Sequence, residues 1–214
     1  MHEEQPGRVL CNRFAIGKEI NGWSLSRYSQ FMLIIGITGT LGAGKGTAVD
    51  FLVKEMGFKH YSVRAFLADE IRDRGLVVNR DSMVRVANNL RSANSPSYII
   101  EKLYEQAAMN NGNCVIESIR TPGEISALRR KGNFVLLAID AEQELRYNRI
   151  RKRGSETDQV SFDTFVSNED REMHSDDPNR QNLAECIRQA DHIIYNNGSI
   201  PDLNEQLSLF INSI

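Results

Sequence analysis

Gly39-Thr40-Leu41-Gly42-Ala43-Gly44-Lys45-Gly46-Thr47 follows the apolar run Met32-Leu33-Ile34-Ile35-Gly36-Ile37-Thr38. It leads into Lys45 to Met56, where Val49, Leu52, Val53 and Met56 recur on one helical face. A short continuous apolar run reads as a buried parallel strand. The junction is therefore strand, glycine-rich turn, helix. Gly39, Gly44 and Lys45 meet the spacing G-x4-G-K. Glycines let backbone N–H groups approach a phosphate without Cβ obstruction. The helix N-terminus adds about half a positive charge, and the lysine ammonium reaches the β and γ oxygens. Gly39 to Thr47 is thus predicted to bind nucleotide phosphates.

On either side of this junction, apolar runs alternate with helical patterns. Strands are predicted near 58–61, 114–117, 134–139 and 192–195. Helices are predicted near 62–74, 80–93, 96–109, 122–130, 142–153, 168–174, 179–189 and 201–211. Strands alternating with helices imply a parallel sheet covered on both faces. The expected fold is α/β: a three-layer P-loop NTPase fold with a five-stranded parallel sheet, helices on both faces and a small lid. The kinase-like domain is read as residues 32–214, with the polar lid at about 150–172. Ligands of such sheets sit at the carboxyl ends of the strands, and each chemical feature below falls there.

The 214 residues suit one domain, and the formal charge of −2 carries no global basic field. Nucleic-acid and membrane partners therefore gain no support, and no run approaches the roughly 20 apolar residues of a membrane span. Cys11, Cys114 and Cys186 form neither a CxxC pair nor a zinc spacing. Reduced thiols in a cytoplasmic protein are expected. Residues 1–31 lack the apolar core of a secretory signal. Glu3, Glu4 and Glu19 weigh against a transit peptide. Met32 reads as a natural start and 1–31 as an extension peripheral to the chemistry.

The residue after Lys45 is Gly46 instead of the usual Ser or Thr, and Thr47 comes next. This run resembles the loop of adenylate kinase and related nucleoside monophosphate kinases. The resemblance implies ATP and Mg2+, with Thr47 on the phosphates and the metal. The ion would be held largely through water by carboxylates, which suits a small cation that keeps its waters. Glu117-Ser118-Ile119-Arg120 ends the third strand. In monophosphate kinases that place carries an acidic residue and, three on, an arginine. Glu117 is thereby expected to orient metal waters or an acceptor group, and Arg120 to grip the acceptor phosphate. Arg64 lies just past the second strand, where related kinases often carry a nearby Asp. Arg85 and Arg91 lie on the intervening helix, where Arg91, after Ala87-Asn88-Asn89-Leu90, is expected to face the acceptor.

Arg146, Arg149 and Arg153 recur at helical spacing before Gly154-Ser155-Glu156-Thr157-Asp158. This resembles a kinase lid, with Arg149 and Arg153 catalytic beside Lys45 and Glu117, and Arg171 returning from beyond the lid. Asn197 and Gly198, after the last strand, stand where this class meets adenine. From Leu33 to about Leu207 the chain is similar to small P-loop kinases near adenylate kinase and dephospho-CoA kinase, above all an archaeal-type, dephospho-CoA-kinase-like set. Gly36-Ile37-Thr38-Gly39, Val86-Ala87-Asn88-Asn89-Leu90-Arg91, Glu117-Ser118-Ile119-Arg120 and Asn197-Gly198-Ser199 carry that likeness.

The implied activity is transfer of the γ-phosphoryl group of ATP to a nucleotide-like acceptor, foremost a (deoxy)nucleoside monophosphate, by a monomer or dimer. Three alternatives stand beside it. Phosphorylation of a hydroxyl, as on dephospho-CoA, needs a carboxylate base. A regulatory P-loop ATPase would lack a small acceptor. A kinase of RNA ends would use the basic 146–153 patch and show strong salt dependence.

Overall fold

The computed structural model describes residues 32–154 and 159–214. The expectations for residues 1–31, for Cys11 and for 155–158 of the lid lie outside the described residues. The sheet has five parallel strands: β1 (Ile34–Thr38), β2 (Lys59–Ser62), β3 (Cys114–Glu117), β4 (Phe134–Asp140) and β5 (His192–Tyr195), in the order β2-β3-β1-β4-β5. The central strand carries the phosphate loop. Its neighbours β3 and β4 end beside that loop, because Ile37 pairs with Glu117 and Thr38 with Ala138.

The helices are α1 (Lys45–Lys54), α2 (Val63–Asp73), α3 (Arg80–Ala93), α4 (Tyr98–Asn110), α5 (Pro122–Arg129), α6 (Gln143–Arg153), α7 (Phe162–Met173), α8 (Leu183–Arg188) and α9 (Ile200–Asn212). Side chains alternate across a strand, and β1 shows the consequence. Ile34 joins the core beneath α2 to α5 and α8, while Ile35 and Ile37 join the core beneath α1 and α9. Two apolar clusters thus flank one sheet, giving the three-layer α/β fold expected. Cys114 and Cys186 are unpaired in the first cluster. Burial pushes the Cys114 thiol up to about 12, which leaves it unreactive.

Side-chain caps set several helix starts. Asn79 and Ser82 form a capping box on α3, as do Thr121 and Glu124 on α5 and Ser199 and Asp202 on α9. Two predicted boundaries shift. The helix expected near 168–174 begins at Phe162, where Ser161 accepts from Thr164 N–H. Its buried face is built on Phe165, Glu169 and Glu172, so charged residues mask the periodicity. The helix expected near 179–189 begins at Leu183, because Asn182 caps it by accepting from Glu185 N–H. Among the described residues no helix is long and apolar enough to cross a membrane.

Candidate active site

The loop between β1 and α1 has the backbone its glycines allow. Gly39 and Gly44 stand at φ 130° and 103°, a region that side chains other than glycine rarely adopt. A Cβ on Gly39 would run into the Ile139 carbonyl, and one on Gly44 into the Asn196 carboxamide. The loop is therefore pressed against the ends of β4 and β5. Thr40 Oγ1 donates to Asp140 Oδ1 at 2.6 Å, and Asn196 Nδ2 donates to the Ala43 carbonyl at 2.8 Å. Thr40 and Ala43 are buried behind the loop. Leu41, Gly42, Gly44, Lys45, Gly46 and Thr47 line the cavity in front of it.

Lys45 Nζ folds back onto the carbonyls of Gly39 and Thr40, at 2.9 and 2.6 Å. Burial lowers its ammonium to about 7, and Arg120 adds to the shift, while Glu117 and Glu172 oppose it. A cation held this far below its usual range gains when a polyphosphate brings negative charge to it.

At the end of β3, Ser62 donates to Glu117 Oε1 at 2.8 Å, and His60 Nε2 stands 3.5 Å from the same oxygen. Burial raises the Glu117 carboxyl, but the bonds from His60 and Ser62 and the charges of His60 and Lys45 outweigh it. Glu117 is thus held below the usual carboxylate range. Ser118 then turns the chain at φ 64°, a left-handed conformation costing a non-glycine residue on the order of 1–3 kcal/mol. Thr38 holds that turn by donating to the Ile119 carbonyl at 2.8 Å.

The Arg120 backbone N–H donates to Glu124 Oε2 at 2.7 Å, and its Nη1 reaches Glu172 Oε2 at 2.6 Å and Gln181 Oε1 at 2.8 Å. Arg64, Ser118, Arg120 and Arg153 line the nucleotide-side cavity together with the loop. The same four, with Leu41, also line a second cavity walled by Val63, Leu67, Met83, Val84 and Ala87 of α2 and α3. The two cavities meet at these residues. Glu117 faces the first cavity; Arg91 forms part of the wall of the second.

The predicted arginines part company in space. Arg91 is 2% exposed and gives Nε and Nη2 to Glu124 Oε1 at 3.1 and 2.8 Å. Its buried Nη1 has no hydrogen-bond partner. Arg146 is buried against Glu169 of α7 and the carbonyls of Ala141 and Leu41. Arg149 clasps the carbonyls of Asn196 and Gly198, at 2.8 and 3.2 Å, and lines the nucleotide-side cavity. Only Arg153 of these three opens onto both cavities. Arg85 and Arg171 line a separate outer groove between α3 and α7. In the 196–198 loop, Asn196 and Gly198 face the nucleotide-side cavity, whereas Asn197 Oδ1 accepts from Glu142 N–H.

Asp140 ends β4 at the carboxyl edge of the sheet, the same position that Glu117 holds on β3. Arg80 and Glu172 carry no local mark, because they meet across 92 residues of chain.

Among the described residues no three His, Cys, Asp or Glu side chains gather into a metal cluster. Thr47 and Glu117 both line the cavity before the loop. Two oxygen donors of this kind fit Mg2+ bound chiefly through phosphate and water.

An AAA-domain profile matches residues 35–177. A UPF0200 protein of Methanothermobacter thermautotrophicus is 30% identical over 177 residues, covering 82% of this chain and 87% of that protein. A UPF0200 protein of Methanocaldococcus jannaschii is 28% identical and covers 86% and 91%. Solved structures share the fold. TT1252 from Thermus thermophilus superposes with a TM-score of 0.56 at 21% identity, covering 86% of this chain and 98% of that one. A shikimate kinase from Bacteroides thetaiotaomicron superposes with a TM-score of 0.53 at 14% identity, covering 85% and 99%. The chain shares the fold of these structures, carries an AAA domain and belongs to the UPF0200 proteins.

Proposed function

We propose that the protein is an ATP-dependent small-molecule kinase whose acceptor is nucleotide-like, foremost a nucleoside or deoxynucleoside monophosphate. The observation that carries this reading is the junction of the two cavities. Leu41, Arg64, Ser118, Arg120 and Arg153 line both, so three arginines stand between the phosphate loop and the second cavity. Phosphoryl transfer joins two anionic substrates in line, and cations must gather where they meet.

In this reading an oxygen of the acceptor phosphate attacks the γ-phosphorus. The bond from phosphorus to the β–γ bridging oxygen breaks, and ADP leaves with that electron pair. Lys45 and Arg153 offset the charge in flight. Arg64 and Arg120 hold the acceptor, with Arg91 Nη1 behind them. Arg149 acts on the nucleotide side, where it fixes the 196–198 loop against the base. Thr47 and Glu117 would hold Mg2+, which neutralises phosphate charge when bound.

A phosphate acceptor arrives ionised and needs no base, whereas a hydroxyl acceptor needs a carboxylate within hydrogen-bond reach. Glu172 is the carboxylate lining the second cavity, and Arg80 and Arg120 already engage it. Glu117 faces the loop instead. This favours the phosphate acceptor over the hydroxyl of a dephospho-CoA-like compound. Consumption of ATP suits a cytoplasmic site of action. The rival of another class, an acceptor-free regulatory ATPase, has no use for a second cavity lined with the chain's own arginines.

The test is ADP release from ATP-Mg in the presence of nucleoside monophosphates, deoxynucleoside monophosphates or dephospho-CoA. Acceptor-dependent ADP with a monophosphate supports the reading. Equal ADP with and without any acceptor would establish the ATPase instead.

A further inference from the structure

The second cavity carries an excess of positive charge. Arg64, Arg80, Arg91, Arg120 and Arg153 line it with one glutamate, Glu172, and Glu124 behind the wall pairs with Arg91. Glu172 is buried on the last turn of α7, far from both of its partners in sequence. Its Oε1 accepts from Arg80 Nη2 at 2.5 Å and its Oε2 from Arg120 Nη1 at 2.6 Å. One carboxylate thus spans two guanidinium groups, the bridging geometry in which a bound oxyanion is held. Burial raises the Glu172 carboxyl, but Arg120 and Arg80 outweigh it and hold it below the usual range, so it stays ionised at neutral pH.

Donors remain around this bridge. Arg80 Nε and Arg91 Nη1 are buried without a hydrogen-bond partner. A buried donor left unpaired is destabilising, because it has given up water without gaining a partner. Glu172, Gln181 and Glu124 together therefore leave two donors of the cluster without acceptor oxygens. A phosphate monoester brings three oxygens and close to two negative charges.

We propose that Glu172 is a resident anion in the acceptor cavity, which a phosphate group displaces from Arg80 and Arg120 and a simple carboxylate does not. Exchange of one carboxylate for another gains nothing. Exchange for a dianion gains charge and acceptor oxygens together. Glu172 is then a specificity-determining residue that admits phosphorylated acceptors and screens out carboxylic acids. This inference rests on reading the second cavity as the acceptor site.

The experiment measures anion binding by calorimetry, without turnover, at pH 8 on protein whose phosphate loop is saturated with a non-hydrolysable ATP analogue and Mg2+. The probes are inorganic phosphate and acetate. Wild type is expected to bind phosphate and to show no heat with acetate. Glu172→Gln removes the resident charge, so phosphate should tighten by about tenfold and acetate should begin to bind. A folded Glu172→Gln protein with neither gain would show that Glu172 only ties α7 to the sheet, and would overturn the proposal. Should that variant not fold, Arg80→Gln serves. It should loosen phosphate by about tenfold, and unchanged affinity would overturn the proposal equally. Because no turnover enters, the outcome is separable from the kinase assignment. Phosphate selectivity of this form with no acceptor-dependent ADP would remove the kinase and leave the anion subsite standing.

Discussion

Ser62 and Glu117 are direct partners across β2 and β3, and the Ser62 hydroxyl donates to Glu117 Oε1 at 2.8 Å. The same hydroxyl oxygen accepts from Ala65 N–H and so caps α2. One side chain therefore orients the carboxylate proposed for the metal and starts the helix that walls the second cavity. Ser62→Ala is expected to lower stability by about 1 kcal/mol through the lost cap. It should also raise the Mg2+ concentration needed for half-maximal turnover by a few-fold, from loss of one hydrogen bond worth about 1 kcal/mol. Titration of activity with Mg2+ checks this. An unchanged requirement in a folded variant would remove Ser62 from the site.

Lys45 makes nucleotide affinity pH-dependent. In the free protein burial holds its ammonium at about 7. Bound phosphates favour the charged form and raise that value. Above pH 7 the free protein has lost the proton and must take it up on binding. Affinity therefore falls as pH rises through about 7, by up to about tenfold per unit, and levels off below it. Calorimetry in two buffers of different ionisation enthalpy should detect proton uptake at pH 8. Lys45→Ala should lose that uptake and abolish phosphoryl transfer while keeping its fold. A folded variant with wild-type turnover would refute the assignment.

In the proposed kinase Arg120 serves the acceptor side more than the nucleotide side. Its Nη1 bonds Glu172 and Gln181, two residues that line the second cavity and not the first. Arg120→Ala is expected to raise the acceptor KM by about tenfold or more, from loss of charge-assisted bonds worth about 1.5–3 kcal/mol. The ATP KM should change little. Equal losses for both substrates would count against this role.

Arg91 and Glu124 form a buried pair in which both side chains are almost wholly shielded from solvent. Glu124 also accepts from the N–H groups of Arg120 and Thr121. Removing the arginine leaves a buried carboxylate without its counter-charge. Arg91→Met should cost about 3–5 kcal/mol of stability, read as a lowered midpoint in urea. A loss below about 1 kcal/mol would mean that Glu124 is satisfied by its backbone donors alone.

The local parts of this protein were legible in the sequence. The G-x4-G-K spacing and the apolar strands depend on residues within a few positions of one another, so their physics is written along the chain. The carboxyl-end rule extended this to Glu117, which lies where it was expected. Arginines obey no such rule. Arg85, Arg91, Arg120, Arg146, Arg149 and Arg153 are alike in sequence, and helical spacing places Arg146, Arg149 and Arg153 on one face. Tertiary structure alone decided their fates. Arg91 meets Glu124 across 33 residues, Arg120 meets Glu172 across 52, and Arg146 meets Glu169 across 23. A guanidinium goes to whichever carboxylate the packing brings within hydrogen-bond distance, because leaving either charge buried and unpaired costs several kcal/mol. The sequence by itself thus determined a phosphate loop at the end of the first strand. The packing of α3 and α7 around β3 decided which cations stand beside it, because each partner comes from a distant segment that only the fold brings near.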